Sequence, residues 1–238
     1  MGSLFIVSTP IGNMSDISVR AIETMFSVGI IVCEDTRKTG LLLSELKKRY
    51  PSLIPHPMVK AELIRSDEFT EFRILPDIIG ALRRGSDVAL VTDAGTPLVG
   101  DPGFLLVREA LNRGIPVTAV PGPTAAVCAL TVSGLPANRY LFLGFLPEKA
   151  GHRRKLLDSL KKLSGTGLAP VCIIYCAPHK LEQTLTDIRD SCGDLEITVA
   201  RELTKVHEEI WQGRISGAIR TERLRKGEIV LLINLSRI

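Results

Sequence analysis

Short apolar runs alternate with helix-like stretches along the first half of the chain. Residues 4–8 and 30–33 are apolar runs closed by turn residues or charges, as buried parallel strands are. Between them, Ser15 and Asp16 offer a helix N-cap ahead of apolar residues at helical spacing. Further strands are predicted at 87–91 and 116–120, and helices at 41–48, 74–82, 102–112 and 124–131. This alternation predicts an α/β domain with a mostly parallel sheet.

A turn-rich stretch at 133–138 interrupts the alternation. No helix tolerates its mixture of Gly, Pro, Ser and Asn, so it is interpreted as an interdomain linker. The second half is predicted to hold strands at 140–144, 171–175, 196–201 and 228–234, helices at 152–163 and 179–191, and an irregular segment around Trp211. These elements favour a mixed sheet. We therefore expect two α/β domains, residues 1–133 and 134–238.

Composition narrows the class of protein. No apolar run approaches the roughly 20 residues that span a membrane, and residues 1–7 lack the features of a signal peptide. A cytoplasmic location is therefore expected. Five cysteines without a CxxC pair, and four histidines without ligand spacing, predict neither a disulfide framework nor a metal site. The net charge of +4 is compatible with an RNA partner without requiring one.

Three loops that follow predicted strands are rich in Gly and Pro, at 9–13, 92–103 and 121–126. Ligands of open α/β sheets bind at the carboxyl ends of the strands. Gly allows close backbone approach to a ligand and Pro fixes a turn, so these loops predict a rigid ligand slot, with ordinary turns as the alternative. The chain has no P-loop, GxGxxG, HExxH or GxSxG motif.

Nine motifs carry a resemblance to one family, in order and in spacing. They are Ser8-Thr9-Pro10-Ile11-Gly12-Asn13, Glu34-Asp35-Thr36-Arg37, Asp93-Ala94-Gly95-Thr96-Pro97 with Asp101-Pro102-Gly103, Pro121-Gly122-Pro123, Gly144-Phe145-Leu146-Pro147, Arg153-Arg154, Pro178-His179-Lys180-Leu181, Ala200-Arg201-Glu202-Leu203-Thr204-Lys205 and Lys226-Gly227-Glu228. Across nearly its whole length the chain resembles the ribosomal RNA small subunit methyltransferase I family. That family methylates a cytidine 2′-hydroxyl in the decoding centre of 16S rRNA.

The resemblance implies a tetrapyrrole-methylase fold, in which two αβα domains hold S-adenosylmethionine in the cleft between them, and a homodimer. The residues that it assigns to the cofactor are Pro10, Gly12, Asp93, Ala94, Gly95, Thr124, Ala125, Tyr175, Cys176, Ala177, Ala200, Arg201 and Glu202. The implied partner is 16S rRNA or the small ribosomal subunit.

Two departures from the family pattern lie outside the cofactor loops. The stretch 67–71 keeps only the acidic positions Glu68 and Glu71 of a His-Glu-His-Asn-Glu-like motif. The family's Tyr-Glu becomes Tyr175-Cys176. Both departures fall where substrate is expected to be handled.

The implied reaction requires a group that accepts the proton of the ribose hydroxyl. Glu34 and Asp35 are candidates in a strand-end loop, beside Arg37 and Lys38, which could hold a phosphate. The alternative is that Glu34 and Asp35 cap a helix with Arg37 as a salt-bridge partner. For Asp93, cofactor binding or bracing of its own turn is favoured.

Contacts with RNA are expected from basic clusters. The densest one contains Lys149, Arg153, Arg154 and Lys155, and the family motif includes the two arginines. Other basic runs are interpreted as solvated helix ends.

Two other functions remain open from the sequence. One is a methylase of the same fold that acts on a small molecule such as a tetrapyrrole. The other is an RNA- or ribosome-binding protein that has lost catalysis.

Overall fold

The computed structural model describes residues 1–67, 70–165 and 169–237, so Glu68 and Phe69 of the departing stretch lie outside the described residues. Contacts divide the chain into two compact units, Met1–Thr124 and Ala125–Ile238. Residues 133–139 form neither helix nor strand, as expected of the turn-rich stretch. The division by contacts falls nine residues before the boundary expected from the sequence, and the boundary of the folding domains stays a prediction.

The first unit contains one five-stranded sheet. Its strands are Leu4–Val7 (β1), Ile30–Cys33 (β2), Glu62–Arg65 (β3), Val88–Leu90 (β4) and Val117–Val120 (β5). Their order is β3-β2-β4-β1-β5 and every neighbouring pair is parallel, which confirms the predicted parallel sheet. The helices are Val19–Met25 (α1), Thr36–Arg49 (α2), Glu71–Arg83 (α3) and Phe104–Asn112 (α4).

Helices cover both faces of this sheet. Side chains of β1 alternate, so that Val7 packs with α1 and α2 while Leu4 packs with α3 and α4. Among the residues of these two clusters are Met25 and Leu46 on one face and Leu82 on the other. A strand buried on both faces is apolar throughout, which explains the continuous apolar runs in the sequence. The first unit is therefore an αβα sandwich.

Two local predictions for the first unit were wrong. The N-cap of α1 is Ser18, whose side chain accepts a hydrogen bond from the Ala21 N–H, and the residues proposed as cap form a separate 3-10 turn, Met14–Asp16. Strand β3 was not predicted. It lies at the sheet edge with both ends exposed, so its sequence lacks a continuous apolar run.

The second unit contains a mixed five-stranded sheet, as predicted. Its strands are Tyr140–Phe145 (β6), Val171–Cys176 (β7), Glu196–Arg201 (β8), Glu209–Arg214 (β9) and Ile229–Asn234 (β10). The order is β6-β7-β10-β8-β9, with β6 and β7 parallel and the other pairs antiparallel. The segment around Trp211, expected to be irregular, is the edge strand β9, whose polar residues hid it.

The helices of the second unit also lie on both faces of its sheet. They are Ala125–Val132 (α5), Ala150–Ser164 (α6), Leu181–Cys192 (α7) and Ile215–Arg220 (α8). Side chains of α6, α7 and α8 share one apolar cluster with the sheet, while α5 packs across β7 and β10. The second unit is therefore a second αβα sandwich.

Two of the absences expected from the sequence concern membranes and disulfides. Within the described residues, no helix combines the length and apolarity that a membrane crossing requires. All five cysteines are free, and Cys33, Cys172 and Cys176 are buried.

Glu71 connects two helices of the first unit. Its carboxylate accepts hydrogen bonds from the backbone N–H groups of Leu105 and Leu106, at 2.9 and 3.1 Å. These are first-turn donors of α4, whose N-cap residue Gly103 has no side chain to satisfy them. The side chain of Glu71 is buried, so the acidic position that the sequence connected with substrate handling closes a helix end instead.

Substitution Glu71→Ala is expected to lower the free energy of unfolding by about 1–2 kcal/mol, because two buried N–H groups lose their acceptor. Urea unfolding measures this loss, and Glu71→Gln, which keeps an oxygen acceptor, should lose less. The control is Glu23→Ala, at an exposed position of α1, with an expected change within about 0.5 kcal/mol. Equal losses for Glu71→Ala and the control would contradict the capping role.

Candidate functional site

The carboxyl ends of β1 and β4 mark the point where connections of the first sheet diverge. From β1 the chain passes through α1 to β2 on one side, and from β4 it passes through α4 to β5 on the other. Ligands of open α/β sheets bind in the crevice at such a switch point. The loops after β1 and β4 therefore border the expected ligand site.

Hydrogen bonds join the three Gly- and Pro-rich loops to one another. The Thr9 N–H donates to the Gly95 carbonyl at 2.8 Å, and the Gly95 N–H donates to the Thr9 carbonyl at 3.1 Å. The Thr96 hydroxyl donates to the Pro123 carbonyl at 3.1 Å and lies 2.9 Å from the Ser8 hydroxyl. The loops predicted to share one sheet edge thus form one connected frame.

Two glycines permit this close approach. Gly95 has φ +91°, and a Cβ there would lie 3.3 Å from a methyl carbon of Ile11. A Cβ on Gly122 would lie 2.7 Å from the Cβ of Ser8, closer than carbon atoms pack. Both positions therefore require glycine.

The first-unit residues assigned to the cofactor lie along this edge. Gly12 and Ala94 are exposed, Gly95 is buried, and Pro10 is half-buried. Thr124, also half-buried, ends the first unit, and Ala125 is the first residue of α5 in the second unit.

A hydroxyl and two carboxyl groups meet beside this frame. The Thr92 hydroxyl donates to Glu34, and the Asp101 side chain is hydrogen-bonded to Thr92. Burial raises the pKa of the Asp101 carboxyl to about 6, the Thr92 hydrogen bond opposes that rise, and the negative charges of Glu34 and Asp93 add to it. Asp101 is therefore a titratable group near neutral pH.

Asp93 contacts the one cation that the sequence connected with phosphate beside this loop. The Lys38 ammonium donates to Asp93 Oδ2 at 2.7 Å, and this hydrogen bond raises the pKa of Lys38. The other carboxylate oxygen, Oδ1, is buried and has no hydrogen-bond partner in the described part of the chain. Lys38 is thus paired with a residue of the expected cofactor loop.

Asp35 is the N-cap of α2. It accepts a hydrogen bond from the Arg37 N–H at 2.8 Å and from the guanidinium at 3.2 and 2.9 Å. The guanidinium hydrogen bond holds the pKa of Asp35 well below its ordinary value. These contacts are those of the capping alternative for Asp35, while Glu34 faces Thr92 and the Arg37 side chain is 87% exposed.

Tyr175, Cys176 and Ala177, at the end of β7, line a cavity of about 520 Å³ that lies wholly within the second unit. The Tyr175 ring packs edge-on against Phe142 and Phe145. Burial raises the pKa of the Cys176 thiol. Cys176 is therefore a neutral wall residue at the position where the family carries a carboxylate.

The side chains of Arg201 and Glu202 brace loops of the second unit. Arg201 bonds the Lys226 and His207 carbonyls and the Glu209 carboxylate. Glu202, at φ +51°, accepts from the Glu228 N–H at 2.9 Å and from a neighbouring lysine. Ala200 is buried in β8. Only the backbone of this segment is open to a ligand.

The basic cluster separates into one paired residue and several exposed ones. Arg153 is only 11% exposed, donates to Asp187 at 2.5 Å, and donates to two loop carbonyls at 2.9 Å each. Lys149, Arg154 and Lys155 are exposed at the start of α6. The positive charge available to a ligand here belongs to the exposed residues.

Sequence reasoning missed Thr92 and Asp101, which lie at the two ends of the loop that follows β4. An available signal was a third carboxylate in a loop after a parallel strand. Within residues 1–67, 70–165 and 169–237, no group of His, Cys, Asp and Glu could hold a metal ion.

Comparison with known proteins identifies the family. Residues 3–218 match the family model described as Tetrapyrrole (Corrin/Porphyrin) Methylases. A Thermotoga maritima protein named Ribosomal RNA small subunit methyltransferase I is 40% identical over 236 residues, 98% of this chain and 99% of that protein. The chain belongs to the ribosomal RNA small subunit methyltransferase I family. A Xylella fastidiosa family member of the same name is 43% identical, with 98% of this chain and 81% of the relative covered.

A solved structure agrees on the fold of this family member. Uroporphyrin-III C-methyl transferase from Thermus thermophilus, complexed with S-adenyl homocysteine, superimposes with a TM-score of 0.62 at 17% identity, covering 98% of each chain. The tetrapyrrole-methylase fold and the family predicted from the motifs are confirmed.

Substitution Asp101→Asn is expected to stabilise the protein at high pH. Because burial raises the folded-state pKa from 3.8 to about 6, ionisation of Asp101 costs stability that is lost as pH rises from about 4 to about 6. Asparagine cannot ionise, so the thermal unfolding midpoint of the variant should rise relative to wild type at about pH 8, by more than at about pH 4.

The control for this measurement is Asp77→Asn, at an exposed position of α3. It should change the midpoint little at either pH. A shift of the Asp101→Asn midpoint that is the same at both pH values would show that the carboxyl does not titrate as described.

Proposed function

We propose that this chain transfers a methyl group from S-adenosylmethionine to the 2′-hydroxyl of a cytidine in 16S rRNA of the small ribosomal subunit. The observation that carries the proposal is the identity of 40% over nearly the whole chain with a protein named for small-subunit rRNA methylation. Substrate specificity resides in loops and surfaces, and a match of this extent includes them as well as the core. Ribosomal subunits are cytoplasmic, so the proposal places the chain there.

The cofactor site in the first unit is the frame made by the loops after β1, β4 and β5. Its polar atoms fit the cofactor, because Asp93 Oδ1 and Thr124 Oγ1 are buried without a hydrogen-bond partner among the described residues. The ammonium and hydroxyl groups of S-adenosylmethionine are suitable partners for such oxygens. Gly95 and Pro10 complete the frame with backbone that a ligand can approach closely. When bound, the cofactor supplies a methyl group on a positively charged sulfur.

Glu34 is the proton acceptor in this proposal. Methyl transfer to a ribose hydroxyl releases that hydroxyl's proton, and a carboxylate within hydrogen-bond reach takes it. Asp35 is committed to α2 and Arg37, whereas Glu34 contacts only a neutral hydroxyl among its described hydrogen bonds. The exposed guanidinium of Arg37 is positioned for an RNA phosphate.

RNA contact is assigned to the exposed cations Lys149, Arg154 and Lys155. Arg153 supports them by fixing the loop before α6. Loss of an exposed cation weakens RNA binding through the phosphates it contacts and makes binding less dependent on salt. The residues of the second unit assigned to the cofactor from the sequence stay a prediction.

A homodimer is part of the proposal. The first unit carries Phe72, Phe104 and Leu111 with exposed fractions of 77, 60 and 59%. Large apolar side chains exposed at this level are typical of interaction surfaces. Analytical ultracentrifugation tests this part: wild type should sediment as a dimer and Phe104→Ser should shift the equilibrium to monomer, whereas a monomeric wild type would remove the dimer from the proposal.

Two alternatives are distinguished by what the chain binds and methylates. A small-molecule methylase would bind the cofactor and leave ribosomal RNA unmodified. A protein that has lost catalysis would bind RNA without transferring methyl groups. The hydrogen-bonded frame after β1 and β4 favours a chain that still binds its cofactor.

Calorimetric titration with S-adenosylmethionine, followed by transfer of labelled methyl to small ribosomal subunits, tests the proposal. Wild type should bind and transfer. Gly95→Ala should lose at least about tenfold in affinity, because the added carbon meets Ile11 and strains a positive-φ residue. Gly114→Ala is the matched control, since Gly114 also has positive φ but its Cβ would meet nothing within 4 Å.

The two variants separate strain from cofactor contact. Equal loss in both would mean that affinity falls through stability alone and that the loop is not the cofactor site. Cofactor binding by wild type without methyl transfer to ribosomal subunits would overturn the rRNA substrate.

A further inference from the structure

The cavity at the ends of β6 and β7 has a rigid wall. Its loop after β6 is held by Arg153, which donates to the Pro147 and Glu148 carbonyls while its guanidinium is paired with Asp187. Gln183 donates to the second oxygen of that carboxylate at 3.0 Å. A largely buried, fully bonded guanidinium fixes its surroundings, so the cavity is formed before any ligand arrives.

Aromatic rings form one side of the cavity. Phe145 is 60% exposed although it packs against Tyr175, with ring centroids 5.7 Å apart at 65°. Tyr175 is held in turn by Phe142, with centroids 5.0 Å apart at 71°. An exposed ring supported from behind by two others presents a flat face for stacking. Such faces bind nucleic-acid bases without strong sequence preference.

The other side of the cavity and its rim carry positive charge. Lys180 lines the cavity and is 48% exposed, and its partner Glu148 is 83% exposed. An ion pair so open to water contributes little, so a phosphate can take the place of the carboxylate. The rim continues into the exposed residues Lys149, Arg154 and Lys155 of α6. The segment 149–157 contains no acidic residue.

This combination of rings and cations suits a nucleotide better than the cofactor. A nucleotide presents a flat base and an anionic phosphate, which match the aromatic side and the cationic side. S-adenosylmethionine also has a flat base, but its sulfonium and ammonium groups are positive and would face Lys180 and the basic rim. Charge therefore favours RNA in this cavity.

We propose that the cavity binds one nucleotide of the RNA substrate, with its base stacked on Phe145 and its phosphate on Lys180. The inference rests on the proposed function for its RNA substrate. It assigns to RNA a cavity whose residues Tyr175, Cys176 and Ala177 the sequence assigned to the cofactor. The base must be unpaired to enter, so single-stranded RNA is the ligand.

The test is binding of a short, fluorescein-labelled, single-stranded RNA to the full chain, measured by anisotropy over a range of salt concentrations. Phe145→Ala should weaken binding about tenfold, because base stacking on an aromatic ring is lost. Lys180→Ala should lower the slope of log affinity against log salt by about 0.7, the value for one phosphate contact on a single strand. S-adenosylmethionine affinity, measured by calorimetry, should stay unchanged in both variants.

Matched controls come from the same unit. Tyr140, 51% exposed, lies at the opposite end of β6 from Phe145, and Lys162 lies in the last turn of α6. Tyr140→Ala and Lys162→Ala should keep wild-type RNA affinity and salt slope. Circular dichroism confirms that each variant is folded.

The outcomes separate this inference from the proposed function. Wild-type RNA affinity in Phe145→Ala and Lys180→Ala would overturn the nucleotide cavity and leave the methyltransferase proposal standing. Lost cofactor affinity in these variants would assign the cavity to S-adenosylmethionine and also overturn the inference. A wild-type chain that does not bind the RNA would remove the RNA substrate and this cavity's ligand together.

Discussion

The reciprocal backbone hydrogen bonds between Thr9 and Gly95 are the constraint on which the first-unit site depends. They join the loops after β1 and β4 at the point where the connections of the sheet diverge. Because these loops hold each other, each can be short of side chains and still keep one conformation. The third loop joins the frame through the Thr96 hydroxyl and Pro123. A ligand at this edge meets backbone that is already in place.

Much of the fold was predictable because central strands bury both faces. The apolar runs at Ile30–Cys33 and Glu196–Arg201 were assigned with correct bounds, since each ends at charged or turn residues. The edge strands β3 and β9 were missed, because an edge strand is partly exposed and its apolar residues no longer form a run. Sheet position, which local sequence does not encode, decides whether a strand is visible to this kind of reasoning.

The site was less predictable than the fold because motif residues divide between structural and exposed roles. Arg153 and Arg154 are neighbours in one family motif, yet the first is buried in an ion pair with Asp187 and the second is exposed. Glu71, which the pattern associated with substrate, accepts hydrogen bonds at the start of α4. Which of two adjacent polar residues faces the protein depends on how its helix packs.

The hydroxyl of Thr92 has a single hydrogen, and this limits what its two acidic neighbours can do. Once Glu34 accepts that hydrogen, a second hydrogen bond with Asp101 requires Asp101 to supply its own proton. The group therefore holds either one extra proton or none, and its formal charge changes by one unit near neutral pH. The electric field at the edge of the first sheet is thus set partly by the surrounding solution, through the protonation of one buried carboxyl group.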